Sequence, residues 1–467
     1  MKHIRGRFGV ACATMAVIAV VIFAVTGVIG SAASAVMEKV GARPSAPDTV
    51  DPQIFDAPPP AMDVAPAPAH VVGPATAEPG TDADAVTRRI EGVGPAPGRV
   101  FDQVIDAESG KVLHESEPTS GGIPASTMKV LTSLAVLDSY GPQHQFTTEV
   151  RGDAADSGVL WLVGGGDPTL SRADLDALAD QTAESLRAEG APRVSLGVDA
   201  TIFAGDPWNP AWPDVYRDYV TPSEGLWVDR GRLSPNPVGP REAQPADAAG
   251  RVFADALKAR GIEVTGISRG DAPEGDAAVD RARVESPPLS TIVEGALAFS
   301  DNDTTEILFR HVGRVDGGDG SLDSARQKQR KVLEDRGLWV DGMVIDDGSG
   351  LSRENRVAAS TLAGAIGLAS AEEEPDLRAV LTGLPVAGAE GTLLDRYVED
   401  GTAPGRGVVR GKTGTLTGVS SLAGYMRDKD GAILVFAFIV NGAPEADYGA
   451  RVYLDRVTSA LADCGCS

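Results

Sequence analysis

The sequence predicts a mixed α+β protein, because segments with strand spacing and segments with helix spacing are interspersed along it. Strand patterns flank the turn signal Ser109-Gly110, and apolar runs at 418–426 and 433–440 are typical of neighbouring antiparallel strands. Apolar residues at helical spacing predict helices in these segments: 173–189, 247–260, 289–300, 304–312, 322–336, 360–370 and 445–462.

The stretch around Ser126 carries the clearest chemical signal. Pro124 precedes it and the apolar run 130–137 has helical spacing, so we expect a buried helix to open near residue 125. Ser126 and Lys129, three residues apart, then share a face. A serine hydroxyl is a weak nucleophile without a base, and a lysine amine whose pKa is lowered by burial can be that base. A surface lysine near a helix-start serine is the ordinary alternative.

Composition and charge exclude several classes of protein. The 467 residues leave room for more than one domain, and 66 acidic against 42 basic residues give a formal net charge of −24. That charge argues against nucleic acid or an anionic surface as a partner of the folded part. The five histidines have no zinc-ligand spacing and no G-x-S-x-G elbow is present, so neither a metal site nor a His-based serine hydrolase is predicted.

The cysteines do not form a disulfide framework. Cys12 lies in the N-terminal apolar run, and Cys464 and Cys466 form a C-G-C pair at the other end of the sequence. The terminal pair has three alternatives: a bridge between its own members, a bridge to another molecule, or two free thiols in a frayed tail.

Residues 1–37 are predicted to be a cytoplasmic stub followed by a membrane anchor. Basic residues precede the apolar run 8–29, whose 22 residues are enough to span a bilayer, which takes about 20. Flanking positive charge places the N-terminus in the cytoplasm. Ala33-Ser34-Ala35 also fits a signal-cleavage site, so secretion after cleavage is the alternative. In both cases the bulk of the chain is extracytoplasmic.

The remaining chain divides into segments that differ in composition and in apolar patterning. Residues 38–95 are rich in Pro and Ala and are predicted to be a disordered tether, with order beginning near Arg99. Segments 96–141 and 288–467 are assigned to one domain, and 142–287 to an inserted region with enough apolar patterning to fold. Because the chemical motifs lie outside 142–287, we expect this segment to be removable without unfolding the rest.

Two short motifs follow Ser126–Lys129 in order. Ser300–Asn302 is an S-x-N between two predicted helices, and Lys412–Gly414 is the chain's only K-T-G, directly before a strand-like run. Each is weak alone, since S-x-N recurs at Ser234–Asn236 in a Pro-rich loop and a loop lysine beside a turn glycine is common. In combination and in this order, S-x-x-K, S-x-N and K-T-G are specific.

The trio resembles that of penicillin-binding proteins and class A β-lactamases. More closely, the sequence is similar to the D-alanyl-D-alanine carboxypeptidase/endopeptidase group, low-molecular-mass class C, peptidase family S13. Three further segments carry that similarity: 164–170, 347–353 and 384–388. The 170-residue gap between Lys129 and Ser300 matches the large insertion of that group. The resemblance covers about residues 96–463.

The resemblance implies a serine β-lactamase/penicillin-binding-protein transpeptidase-like fold, an antiparallel sheet flanked by helices, with a large inserted region. It implies a serine D-Ala-D-Ala carboxypeptidase/endopeptidase that acts on peptidoglycan stem peptides through an acyl-enzyme, is inhibited by β-lactam antibiotics, and uses no metal or cofactor. The alternatives are a serine β-lactamase and a catalytically silent cell-wall scaffold. The insertion and the 347–353 block argue against the first, and the intact motif residues argue against the second.

The resemblance also assigns roles to residues. Catalytic roles go to the nucleophile Ser126, the base Lys129, the proton relay Ser300, the orienting Asn302 and the carboxylate-holding Lys412. Substrate contacts go to Thr413, Gly414, Thr415, Leu416, Thr417, Gly350, Leu351, Arg353 and Asp214. Arg353 would receive a side-chain carboxylate and Asp214 an amine. The alternative for Arg353 is an ion pair with Asp346 or Asp347 that only braces a turn.

Overall fold

The computed structural model describes residues 81–153, 158–444 and 448–466. Its helices are α1 (Ala83–Glu91), α2 (Met128–Tyr140), α3 (Arg172–Ala188), α4 (Pro245–Ala259), α5 (Leu289–Ala298), α6 (Asn302–Val312), α7 (Leu322–Asp335), α8 (Ala359–Ser370), α9 (Ala379–Thr382) and α10 (Tyr448–Ala462). Its strands are β1 (Arg99–Asp106), β2 (Val112–Ser116), β3 (Thr147–Asp153), β4 (Val159–Gly164), β5 (Arg193–Asp199), β6 (Glu263–Arg269), β7 (Ala278–Glu285), β8 (Arg410–Leu416), β9 (Val419–Arg427) and β10 (Ile433–Asn441).

The first sheet is antiparallel throughout, in the order β2-β1-β10-β9-β8. Its central strand β10 is apolar on both faces: Val435 and Ile439 belong to a core with α2, α5 and α8, whereas Phe436 and Phe438 belong to a core with α1 and α10. Because successive side chains of a strand point to opposite faces, the sheet is packed between two helical layers. The predicted α+β fold, an antiparallel sheet flanked by helices, is therefore confirmed.

The second sheet is formed by residues between 147 and 285, in the order β6-β5-β4-β3-β7. Strands β4, β5 and β6 are parallel, and β3 pairs antiparallel with both β4 and β7. Helices α3 and α4 cover one face and share a third core with it. Side chains of β6 are almost all exposed, so this strand lacks the apolar alternation by which a half-buried strand is predicted from sequence.

Residues 82–95 correct the predicted tether. Asp82 caps α1 by accepting the backbone N–H of Asp84 at 2.9 Å, and Val86 and Ile90 are buried in the core beside α10. Glycine and proline flank this short helix, and they concealed it in a stretch of biased composition. The rest of the tether and the predicted anchor lie outside the described residues, among which no helix is both long and apolar enough to cross a bilayer.

The C-terminal cysteines match the first of the three alternatives, a bridge between the two members of the pair. Cys464 and Cys466 form a disulfide with each other, and both are buried beside α1 and α10 rather than in a frayed tail. The backbone N–H of Asp82 donates to the carbonyl of Cys466 at 2.6 Å, so the start of α1 and the end of the described chain are held together.

We predict that Val86→Ala lowers the free energy of unfolding by about 1–3 kcal/mol, because it deletes two buried methyl groups from a side chain with no exposed surface. Chemical denaturation of the two proteins measures this difference in the free energy of unfolding. Val112→Ala, at a side chain 43% exposed, is the matched control and should cost far less. Equal small losses at both positions would mean that α1 is not part of the core.

Candidate active site

The S-x-x-K motif lies where a tight turn meets the edge strand β8. Ser126 lies in a 3-10 turn, Ala125–Thr127, that leads directly into α2, so the predicted helix is confirmed with a tighter first turn. Ala125 has a left-handed φ of 47°, a strained conformation typical of functional sites. A Cβ on Gly414 would lie 2.7 Å from the Pro124 carbonyl and 3.0 Å from the Ser126 nitrogen. Only glycine lets β8 approach the turn this closely.

Lys129 connects the motifs. Its fully buried Nζ lies 3.1 Å from Ser126 Oγ, 2.7 Å from Asn302 Oδ1 and 2.7 Å from the Ser349 carbonyl. The last two atoms can only accept hydrogen bonds, whereas a hydroxyl can also donate. A neutral amine has two N–H bonds and one lone pair, so it can satisfy both acceptors and turn its lone pair toward Ser126. The arrangement suits removal of the serine proton.

The surroundings of Lys129 act on its pKa in two opposite directions. Burial lowers the pKa of the Lys129 amine, and four nearby carboxyl groups oppose that effect, leaving the pKa at about 8. These groups, in order of their influence, are Asp347, Glu306, Asp301 and Asp303. A general base works best with a pKa close to the working pH, and this value meets that condition.

The S-x-N motif forms the connection between α5 and α6. Ser300 has a left-handed φ of 56°, and Asp301 then caps α6 by accepting the Thr304 N–H at 3.0 Å. Asn302 is the first residue of α6. Its Oδ1 accepts from Lys129, and its Nδ2 donates to the carbonyl of Tyr219 at 3.1 Å. The structure therefore brings Ser126, Lys129 and Asn302 together, as the motif order predicted.

Buried acids hold the loop that carries the Ser349 carbonyl. Glu306 Oε1 accepts the Ser349 N–H at 2.7 Å, and Asp347 accepts from the Gly350 N–H and from Trp212 Nε1, both at 2.8 Å. Burial and the nearby Asp347 raise the pKa of Glu306 to about 8. No motif in the sequence indicates Glu306, although it lies four residues after Asn302 on one helix face.

The K-T-G motif lies on β8. The Lys412 side chain is fully buried and its Nζ donates to the Thr413 carbonyl at 3.0 Å. Burial and the neighbouring charge of Lys129 hold the pKa of Lys412 well below its usual range. Thr413 Oγ1 donates to Thr392 Oγ1 at 2.9 Å, and Thr415 is exposed. The motif thus places a buried lysine amine beside an accessible strand edge.

Arg353 points to the end of the same strand. Its Nη2 donates to the Thr417 carbonyl at 2.9 Å, which brings Arg353 next to the residues that follow the K-T-G motif. The alternative pairing does not form, because Asp346 is engaged by Arg326 at 2.7 Å and Asp347 by the loop and Trp212. Arg353 is thus not bracing that turn through an ion pair.

Other predicted pocket residues lie nearby in different environments. Gly350, with φ of 83°, packs so closely on the Ala125 carbonyl that no side chain fits there. Leu351 is buried in a small cluster with Trp212. Asp214 is far more exposed, at 93% of its side chain, and lies 3.4 Å from Arg217. The structure leaves Asp214 at the surface, in ionic contact with a residue of its own turn.

The inserted segment contributes directly to this site. Tyr219 supplies a backbone acceptor for Asn302, Trp212 supplies a donor for Asp347, and Arg232 forms ion pairs with Asp301 and Asp303 at 2.7 and 2.9 Å. The S-x-N turn and the 347–353 loop thus have partners in segment 142–287, the segment that the sequence suggests can be removed without unfolding the rest. Sequence distance concealed them, because Tyr219 acts through a backbone carbonyl, and Trp212 and Arg232 lie far from any motif in the sequence.

A serine beside a buried lysine, with a second buried lysine on an adjacent antiparallel edge strand, defines a serine acyl-transfer centre of the penicillin-binding-protein and serine β-lactamase class. Within the ranges given above, no group of three or more His, Cys, Asp or Glu side chains is arranged to hold a metal ion. A family model described as the D-Ala-D-Ala carboxypeptidase 3 (S13) family matches residues 94–242 and 232–460. The chain belongs to this family and is a serine-type peptidase.

Individual relatives agree with the family. The chain is 32% identical over 424 residues to "Carboxypeptidase Rv3627c" of Mycobacterium tuberculosis, covering 88% of this chain and 90% of that protein. It is 31% identical over 452 residues to the "D-alanyl-D-alanine carboxypeptidase" of Actinomadura sp. strain R39, covering 77% and 80%. Penicillin binding protein 4 of Haemophilus influenzae shares the fold, with a TM-score of 0.67 at 20% identity, covering 81% of this chain and 98% of that structure.

We predict that the rate of acylation by a penicillin rises with pH through an apparent pKa of about 8. Lys129 must be neutral to accept the serine proton, so the rate falls roughly tenfold per pH unit well below that value. Stopped-flow measurement between pH 6 and 10 checks this, with thermal unfolding at each pH as the control for stability. A rate that is flat between pH 6 and 9 would contradict a base with this pKa.

Proposed function

We propose that the protein removes the terminal D-alanine from peptidoglycan stem peptides through an acyl-enzyme on Ser126. The observation that carries this proposal is the contact between Ser126 Oγ and Lys129 Nζ at 3.1 Å, with both lysine N–H groups committed to Asn302 and Ser349. This geometry supports Ser126 as the nucleophile and Lys129 as its base. Membership of the S13 family supports the substrate class.

Acylation begins when Lys129 takes the hydroxyl proton and Ser126 Oγ attacks the carbonyl between the two D-alanines. The resulting oxyanion is held by the backbone N–H groups of Ser126 and Thr415, an interaction that is usually a large catalytic contribution. Ser300 relays a proton to the leaving amine as the C–N bond breaks. The products of this step are free D-alanine and an ester on Ser126, which water then hydrolyses to restore the enzyme.

Binding of the terminal carboxylate is assigned to Lys412 and Thr413. A buried ammonium is costly without a partner, and an incoming carboxylate supplies one. Gly414 keeps the strand edge open so that the substrate backbone can lie against β8. A β-lactam carries the same carboxylate next to a reactive amide, so it would acylate Ser126 and block it. The Haemophilus penicillin binding protein 4 has been solved in complex with a β-lactam, which supports this assignment.

A second pocket would read the side chain of the cross-link peptide. Arg353 reaches the carbonyl of Thr417, and Leu416 lies between this residue and the K-T-G motif, so the three are suited to line one pocket. Gly350 and Leu351 would form its floor. Asp214 is the proposed partner for an amine; its exposure leaves it accessible to substrate but also to water, which weakens its contribution.

We also propose the location and the domain arrangement of the chain. The apolar run 8–29, with basic residues before it, supports an N-terminal anchor that leaves the catalytic region outside the cytoplasm. The first sheet and its helices support one penicillin-binding domain formed from 96–141 and 288–467, and the second sheet supports an inserted domain within 142–287. The helix α1 adds residues 83–91 to the first of these.

We predict that Ser126→Ala abolishes covalent labelling by a fluorescent penicillin, because the label is an ester on that oxygen. Gel fluorescence after a fixed incubation measures the label. Ser133→Ala is the matched control: this serine is on the same buried helix, and its loss should leave labelling intact. Labelling of the Ser126→Ala protein at wild-type intensity would assign the nucleophile to another residue.

We predict that Arg353→Ala lowers kcat/KM on a peptide whose side chain carries a free carboxylate. The loss corresponds to about 1.5–3 kcal/mol of transition-state stabilisation, typical of a lost charge-assisted hydrogen bond. The acylation rate with a penicillin that lacks this side chain should hardly change. Steady-state hydrolysis and acylation rates provide the two measurements. Equal losses on both substrates would mean that Arg353 supports the fold or the catalytic centre instead of reading the side chain.

A further inference from the structure

Asn302 can occupy its site in two orientations that differ little in shape. Rotation of the amide by 180° exchanges its oxygen and its NH₂ group. Only one orientation places Oδ1 on Lys129 Nζ, at 2.7 Å; the other would set two donors against each other. The catalytic use of Lys129 therefore depends on whatever fixes this amide.

The carbonyl of Tyr219 is the group opposite the NH₂ of Asn302. It accepts from Nδ2 at 3.1 Å and, as a carbonyl, cannot accept from Oδ1. A flip would therefore lose two hydrogen bonds and create two repulsive contacts. Since Nδ2 has two hydrogens, the bond to Tyr219 leaves one available for a substrate carbonyl. Tyr219 belongs to the inserted segment, 83 residues before Asn302.

Arg232, from the same segment, holds both sequence neighbours of Asn302. Its Nη2 lies 2.7 Å from Asp301 and its Nε 2.9 Å from Asp303, so one guanidinium bridges the residues on either side of Asn302. The Asp303 side chain is fully buried, and its other oxygen accepts the N–H of Thr221 at 2.8 Å. Although burial raises the pKa of Asp301, neighbouring arginines hold it down to about 2.

We propose that segment 219–232 is a positioning part of the catalytic centre, in which Arg232 and the Tyr219 carbonyl hold the Asn302 amide with its oxygen toward Lys129. Arg232 fixes the backbone around Asn302 through Asp301 and Asp303, and Asp303 also accepts the N–H of Thr221, two residues after Tyr219. The inference rests on the proposed role of Asn302. It makes Arg232 a positioning residue that acts through Asn302.

The test is a double-mutant cycle between Arg232 and Asn302, read by the second-order rate of acylation with a fluorescent penicillin. Arg232→Gln should lower this rate by about 10- to 100-fold, the scale of a small misplacement of a catalytic group. In an Asn302→Ala background the same substitution should change the rate by less than threefold, because the group it positions is gone. Arg251→Gln, at an exposed arginine of the inserted segment, is the matched control and should acylate normally.

The cycle separates the possible failures. A wild-type rate in Asn302→Ala itself would overturn the proposed function of that residue. In a second case, Asn302→Ala lowers the acylation rate as expected, but Arg232→Gln lowers it by the same factor in both backgrounds. That result would overturn the inference and make Arg232 a purely structural residue. If Arg232→Gln does not fold, Arg232→Lys replaces it in the cycle, since an ammonium keeps the charge but cannot bridge both carboxylates as a guanidinium fork does. The Arg232→Lys protein should then acylate about 3- to 10-fold more slowly than wild type, again only when Asn302 is present.

Discussion

The burial of one primary amine, that of Lys129, determines most of the geometry around Ser126. Lys129 has no exposed surface, and an amine in that position is tolerated only if its hydrogens find acceptors. Asn302 and the Ser349 carbonyl meet that need, and each is fixed by groups of its own. Removing either acceptor would leave an N–H unpaired and would also free the amine to turn away from Ser126. Stability and reactivity thus depend on the same contacts at this point.

The motifs were predictable because they are local. Ser126 and Lys129 are three residues apart on one helical turn, and the K-T-G motif lies on β8 directly before the apolar strand β9, so sequence spacing alone indicates their geometry. The supports of these motifs were not predictable. Tyr219 acts through a backbone carbonyl, which has no sequence signature, and Arg232 meets Asp301 across 69 residues. Helix α1 was not predicted for a different reason, because its short apolar stripe is flanked by Gly and Pro.

The inserted segment is tied to the site by charge as well as by hydrogen bonds. Asp301 and Asp303 are buried within a shell of arginines contributed by residues 230–241, and Arg241 itself is almost fully buried, 3.4 Å from Asp303. Two buried carboxylates without those partners would cost several kcal/mol or take up protons. A protein that kept the motifs and lost this segment would therefore carry a destabilised S-x-N turn, so the insertion cannot be treated as an appendage.

The two buried lysines also set the charge with which the site receives a substrate. Burial lowers the pKa of both Lys129 and Lys412, and the charge of Lys129 lowers the pKa of Lys412 further, so the two sites disfavour being charged together. A carboxylate bound at Lys412, as proposed, favours the charged form of that lysine. A charged Lys412 would in turn disfavour a proton on Lys129 beside Ser126. Recognition of the terminal carboxylate would in this way favour the neutral form of Lys129 that the proposed base requires.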